Sequence, residues 1–227
     1  MFKFFLFMSF FSSTQASSPV ESKKEMHILF DFGDVVIHKD KDFILNFLME
    51  QFNIDHISAQ TLVEEYGQHR VRGGDDFDFF FNYCQKNHMV LPENFIGHFQ
   101  NKMDAAIVLD EKVFALIKQI QNEGGHVHLF SNTDAYKAQN YQKLGLYDPF
   151  EKKFLSYNFG LKKPQQQFYE AVVDELKCAP QQCVFIDNKL SNIAVAEQLG
   201  WCGIHYKNAD QLQAELEQIG IIQKHEF

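Results

Sequence analysis

Short apolar runs alternate with helically spaced apolar residues over most of this chain, and the alternation predicts its architecture. His27 to Phe30 is the first run. From Asp110 the rhythm is regular. Val113, Leu116, Ile117 and Ile120 share one helical face that ends at Gly124-Gly125, and a strand follows at His126 to Phe130. A helix through Tyr136 and Tyr141 stops at Gly145, a strand lies near Phe154, and Phe168, Val172 and Leu176 mark a helix after Pro164. A strand from Cys183 to Ile186, a helix with Ile193 and Ala196 stopping at Gly200, a strand from Trp201 to Tyr206 and a helix near Leu212 to Ile219 complete the series. Strands alternating with helices predict a parallel sheet covered on both faces. The fold class is therefore α/β, with a Rossmann-like parallel core.

The region between Val35-Val36-Ile37 and Asp110 contains no convincing strand. A helix-like stretch runs from about Lys41 to Phe52. Ser58, Leu62, Val63 and Tyr66 keep helical spacing that closes near Gly67. Asp75 offers an N-cap to a Phe-rich helix from Phe77 to Tyr83, and Pro92 opens a third helix through Met103. Roughly 60 residues without a strand are too many for a loop, so this is an inserted helical unit. The expected division is a core of 26–40 and 108–227 with a cap of 41–107. Phe77, Phe79, Phe80 and Phe81 read as cap core. Arg70 and Arg72 are candidates for contacting the polar part of a substrate, or a solvated helix end.

Composition narrows the classes of function. The chain has 227 residues and a formal net charge of −9, which argues against a nucleic-acid backbone as the main partner. Lys3, the apolar stretch Phe4 to Phe11 and Thr14-Gln15-Ala16 have the form of an export signal. Residues 1–16 are thus expected to be a signal peptide and 17–25 a linker. The mature protein would be periplasmic or secreted, or cytoplasmic if the signal is not used. The apolar stretch is too short for a membrane span, which needs about 20 residues. Cys84, Cys178, Cys183 and Cys202 lack paired metal spacing. Export would open the way to a disulfide among Cys178, Cys183 and Cys202, but buried free thiols are the preferred reading. His88, His98 and His205 show no ligand spacing.

Chemistry gathers where the apolar runs end. Asp31-Phe32-Gly33-Asp34 follows the first strand, Ser131-Asn132-Thr133-Asp134 the second, Gly160-Leu161-Lys162-Lys163-Pro164 the Phe154 strand, and Asp187-Asn188 the Cys183 strand. Ligands of open parallel sheets bind outside the carboxyl ends of the strands. The clusters would bring a carboxylate, a hydroxyl with an amide, an ammonium and a second carboxylate into one crevice. That set can hold a phosphate beside a divalent metal.

At these residues the sequence resembles the haloacid dehalogenase-like (HAD) hydrolase superfamily, over nearly everything after Met26. Within it the chain looks most like phosphatases with a DxGxV first motif (Asp31, Gly33, Val35), a group that includes sugar-1-phosphate phosphatases. Ser131-Asn132-Thr133 resembles the second motif, Lys163-Pro164 the third, and Asp187 with Asn192 the fourth. The resemblance implies Asp31 as nucleophile, Lys163 neutralising the transferring group (with the adjacent Lys162 also open), and Ser131 and Asn132 binding phosphate oxygens. It implies Mg²⁺ held by Asp31, the Gly33 carbonyl and Asp187, and a cap that closes over the site. Asn192 reads as structural, and Asn132 is also open to a capping role. The substrate would be a small phosphorylated metabolite, a sugar phosphate among the options.

Two positions depart from the pattern. Gly33 stands where many of these phosphatases carry a general-acid Asp, and Asn188 where many carry a second carboxylate; Asp34, one residue late, reads as a turn residue. Gly33 keeps open a dehalogenase reading, in which Asp31 attacks carbon and halide leaves unaided. Gly33 and Asn188 together keep open a binding protein that retains the fold without turnover.

Overall fold

The computed structural model describes residues 25–71 and 75–224. The expected signal peptide, nearly all of the linker, Arg72 and the side chain of Arg70 lie outside what is described.

The core is a five-stranded parallel sheet in the order β5-β4-β1-β6-β7. Its strands are β1 (His27–Phe30), β4 (His126–Ser131), β5 (Lys152–Leu155), β6 (Cys183–Asp187) and β7 (Cys202–His205). β1 lies at the centre, and Ile28, Leu29 and Phe30 are wholly buried. Its side chains alternate between two apolar layers, as strand geometry requires. Ile28 and Phe30 join Val127, Leu129, Val184 and Ile186 beneath helices α5 (Glu111–Asn122), α6 (Ala135–Lys143) and α10 (Ala209–Gln218). Leu29 joins Phe130, Cys183 and Phe185 beneath α8 (Gln166–Leu176) and α9 (Leu190–Gln198). This is the doubly covered α/β sheet that the alternating pattern predicted. A four-residue helix, α7 (Ser156–Phe159), follows β5.

The insertion is helical: α1 (Lys41–Phe52), α2 (His56–Val71), α3 (Asp76–Lys86) and α4 (Phe95–Ala105). It has its own apolar centre around Phe80, whose ring lies 4.7 Å from Phe99 and 4.8 Å from Phe95, both edge-on. Asp75 caps α3 by accepting from the N–H groups of Phe77 and Asp78. The chain enters and leaves the cap through a two-stranded antiparallel ribbon, β2 (Ile37–Lys39) and β3 (Ile107–Leu109).

Several sequence expectations need correction. α2 continues through Gly67 to Val71, because one glycine costs a helix only about 1 kcal/mol and packing outweighs it. α4 begins at Phe95 rather than Pro92; Asn94 is left-handed, so the chain turns before the helix starts. Phe77 and Phe81 are 51 % and 41 % exposed and stack on each other, because they share the outer face of α3 while Phe80 points inward. No helix among the described residues is long and apolar enough to cross a membrane.

Candidate active site

Asp31 leaves the carboxyl end of β1 still tied to the sheet, its N–H donating to the Ile186 carbonyl at 2.8 Å. The chain then turns sharply. Val36 N–H donates back to Phe32 O, and Asp34 N–H donates to Ile37 O with Asp34 in the left-handed region. Phe32 anchors this turn among Tyr141, Tyr147 and Phe150. Asp34 is exposed, as a turn residue would be. Gly33 is exposed too, and a Cβ placed there would meet nothing within 4 Å. Nothing steric excludes a larger residue at that position.

Lys163 comes from the loop before α8 and is 4 % exposed. Its Nζ donates to Asp31 Oδ1 at 2.8 Å, to Asp187 Oδ2 at 2.7 Å and to the Phe130 carbonyl at 2.6 Å. The ammonium also lies 5.1 and 5.0 Å from the ring centres of Phe130 and Phe185. Lys162, the neighbour that sequence left open, is exposed, and its backbone N–H donates to Gln165 Oε1. Burial pushes the Asp31 carboxyl above the usual range, the Lys163 ammonium opposes that, and the Asp187 charge reinforces it.

Asp187 is fully buried at the end of β6. Its Oδ2 also accepts from Asn192 Nδ2, and its Oδ1 accepts from the Lys189 N–H, each at 2.8 Å. Asn192 is itself pinned by the Tyr169 hydroxyl, which donates to its carbonyl at 3.0 Å. Asn192 therefore positions Asp187. Ser131, the last residue of β4, the strand next to β1, is 5 % exposed.

Asn132 clasps the lysine loop. Its Nδ2 donates to Lys163 O and its Oδ1 accepts from Lys163 N–H, both at 2.8 Å. The cap of α6 is Asp134, which accepts from the Lys137 N–H, so Asn132 is not the capping residue. Ser156, which sequence did not single out, bridges the next residue. Its Oγ accepts from Thr133 N–H and donates to Thr133 O. The partners lie 23 residues apart, and nothing local marks the pair.

Oxygen donors for a hard cation converge on this end of the sheet. The carboxylates of Asp31 and Asp187 share Lys163 here, and Gly33 lies in the turn that follows Asp31. Asn188 follows Asp187 directly, and its Oδ1 is buried without a hydrogen-bond partner. Two carboxylates with neutral oxygens, short of a closed protein cage, suit Mg²⁺, which takes about six oxygens and retains several waters. The residues therefore fit the ion. His205, read as a scattered histidine, lies close by, with Nε2 3.2 Å from the Asn188 carbonyl.

A cavity of about 630 Å³ opens between cap and core. Tyr66, Asp76, Gln100 and Asp104 line its cap side, and Asp134 and Tyr136 its core side. Asp134 stands three residues beyond Ser131 in the same loop.

Known proteins share sequence and fold with this chain. A stretch of 111 residues, 48 % of this chain, is 26 % identical to a sesquiterpene phosphatase of Aspergillus oryzae, of which it spans 57 %. The chain thus spans little more than half the length of that relative. A D-ribitol-5-phosphate phosphatase of Bacteroides thetaiotaomicron is 24 % identical over 208 residues, 84 % of this chain and 96 % of that protein. Among solved structures, a mutant HAD-family enzyme from the same bacterium, crystallised with magnesium and inorganic phosphate, superposes with a TM-score of 0.58 at 23 % identity. That superposition covers 81 % of this chain and 94 % of the other and shows a shared fold. The family described as haloacid dehalogenase-like hydrolase matches residues 26–200, and the chain belongs to it.

Proposed function

We propose that this protein is a Mg²⁺-dependent phosphatase of a small phosphorylated metabolite, working through a phosphoryl group carried on Asp31. The observation that carries the proposal is the Lys163 ammonium seated between Asp31 and Asp187 at 2.8 and 2.7 Å.

Asp31 directly follows the central strand, its carboxyl held beside Lys163. One of its oxygens attacks phosphorus as the bond from phosphorus to the leaving oxygen breaks. Water then attacks the aspartyl phosphate, releasing phosphate and restoring the carboxylate. Lys163 offsets charge on the transferring group and keeps two buried carboxylates compatible. The Ser131 hydroxyl binds a phosphoryl oxygen. Asn132 and Asn192 hold Lys163 and Asp187 in register. Asp31, the Gly33 carbonyl, Asp187 and Asn188 Oδ1 would hold Mg²⁺, which when bound would withdraw charge from the phosphoryl oxygens.

Gly33 brings no acid to the leaving oxygen, so that oxygen takes its proton from water. Good leaving groups, such as an anomeric sugar hydroxyl or an acyl group, suit this arrangement. The cap crevice favours a hydroxyl-rich leaving group. Among the described residues its lining includes Tyr66, Gln100 and Tyr136 beside four carboxylates and two ammonium groups, a polar set that suits neutral hydroxyls. The relative named for D-ribitol 5-phosphate takes a hydroxyl-rich substrate. Its primary alkyl leaving group is the poorer kind, from which a leaving-group preference here would set this chain apart.

The test is phosphate release from sugar, polyol, nucleotide and acyl phosphates, with Mg²⁺ and with EDTA. Release from at least one class that EDTA abolishes is expected. Release independent of a divalent ion, or dechlorination of a haloacid without phosphatase activity, would refute the proposal.

A further inference from the structure

The sulfur atoms of Cys178 and Cys183 lie 3.5 Å apart, in van der Waals contact, and both thiols are free. Cys178 follows the left-handed Lys177 that ends α8, and Cys183 opens β6. The residues between them, Ala179 to Gln182, form a tight turn. Ala179 N–H donates to Gln182 Oε1 at 3.0 Å, and Gln182 N–H donates to Ala179 O at 2.9 Å. The turn holds the two sulfurs facing each other.

We propose that Cys178 and Cys183 form a redox site that closes to a disulfide on exchange with a small-molecule disulfide such as oxidised glutathione. Cys178 is partly exposed and Cys183 fully buried, so the exchange starts at Cys178. The Cys178 thiolate attacks one sulfur of the external disulfide, forming a mixed disulfide and expelling one thiolate. Cys183 Sγ then attacks Cys178 Sγ, forming the internal bond and expelling the second. The two thiol protons end on the two released thiols, and the cysteine pair gives up two electrons. Burial and the neighbouring Cys178 both raise the Cys183 thiol above the usual range, which makes the second step the slow one.

Partner choice follows from strand geometry. Along β6, Cys183 and Phe185 face one apolar layer, and Val184 and Ile186 face the other. Cys202 is in register with Val184, so it stands on the face opposite Cys183. Cys84 lies in the separate core of the cap. Neither competes.

The crosslink would join the foot of α8 to the foot of β6, while Asp187 ends that strand four residues on, about 13 Å away. It should therefore act on stability and leave the reaction alone. Closing a loop of about six residues in a domain of this size predicts a rise of roughly 4–8 °C in melting temperature.

The experiment equilibrates the purified full chain with excess oxidised glutathione, alkylates it, and maps peptides by mass spectrometry before and after dithiothreitol. Linked Cys178 and Cys183 peptides, two hydrogens lighter, are expected. So is a melting-temperature rise that Cys178→Ser and Cys183→Ser abolish and Cys202→Ser retains. Both thiols still alkylatable, a glutathione adduct on Cys178 that never closes, or bridges to Cys84 or Cys202 would overturn the proposal.

Discussion

Replacing Lys163 by methionine removes the ammonium between two carboxylates and keeps a flexible apolar chain against Phe130 and Phe185. The Lys163 and Asp187 side chains are 1 % and 0 % exposed and that of Asp31 is 12 % exposed, so solvent screens little. Deleting one partner of a buried ion pair costs about 3–5 kcal/mol, and here two carboxylates lose their counter-charge, which favours the upper end. The cost must depend on pH. Burial already raises the Asp31 carboxyl, and Lys163 opposes that rise; without the lysine the carboxyl titrates higher still. Between the unfolded and folded values, the folded variant keeps a proton that the unfolded chain has released. Its stability therefore falls as pH rises through that window and recovers on acidification, by up to about 1.4 kcal/mol per pH unit for one proton. The assay is urea unfolding in EDTA at pH 5.5 and 7.5, followed by fluorescence of the single tryptophan, Trp201, which is 5 % exposed in the sheet core. The expected result is a large deficit against wild type at pH 7.5 that shrinks at pH 5.5. A variant as stable as wild type at both values, or a deficit that widens in acid, would refute the reasoning.

Asp31→Asn should keep its circular dichroism and lose phosphate release, because an amide is a poor nucleophile; substantial turnover in the folded variant would end the aspartyl-phosphate mechanism. Gly33→Asp has room for its side chain and should narrow the preference for a sugar 1-phosphate over its 6-phosphate isomer. General-acid help is typically worth ~10²–10⁴-fold and matters most for the poorer leaving group. A ratio of kcat/KM unmoved by the change would assign specificity to the cap. At the other end of the sheet, His27 Nδ1 and His128 Nε2 lie 3.0 Å apart in a buried pair, and burial first, then the neighbouring His27, lowers His128 to about 3. The unfolded chain takes up this proton near 6.5 and the fold resists it, so stability is lost as pH falls below about 6.5, by about 2 kcal/mol for His128 between pH 7 and 5. Denaturant midpoints for wild type and a His27→Leu/His128→Leu variant should show the slope only in wild type, and parallel slopes would remove the histidines from the account.

Much of the core was legible because its strands are buried on both faces and so read as unbroken apolar runs closed by polar residues. The paired ribbon was not: β2 and β3 have three residues each, too few for any period to show. The outer position of Phe77 and Phe81 follows from the register of α3 against its neighbours, which its Phe-rich sequence does not mark. At the site, carboxylates and lysine could be named because each follows a strand. Choosing Lys163 over Lys162 needed the loop conformation that buries one and exposes the other. Asn132 was legible as a polar residue in the right loop, but its clasp on a backbone 31 residues away was not. Ser156 escaped for the same reason.

The β2–β3 ribbon makes the cap a plug in a socket one hairpin wide. Lys39 and Ile107, where the chain departs and returns, are direct cross-strand partners. Facing antiparallel residues sit only about 4.5–5.5 Å apart, close enough for a two-residue turn to join them. From the core's side, the entire insertion occupies the place of such a turn. Cap length and shape can vary without moving any strand of the parallel sheet, and the crevice can be offered new walls while Asp31, Lys163 and Asp187 stay where they are. Sewing both crossings into one ribbon also means that the chain joins cap to core through one strap rather than two separate tethers.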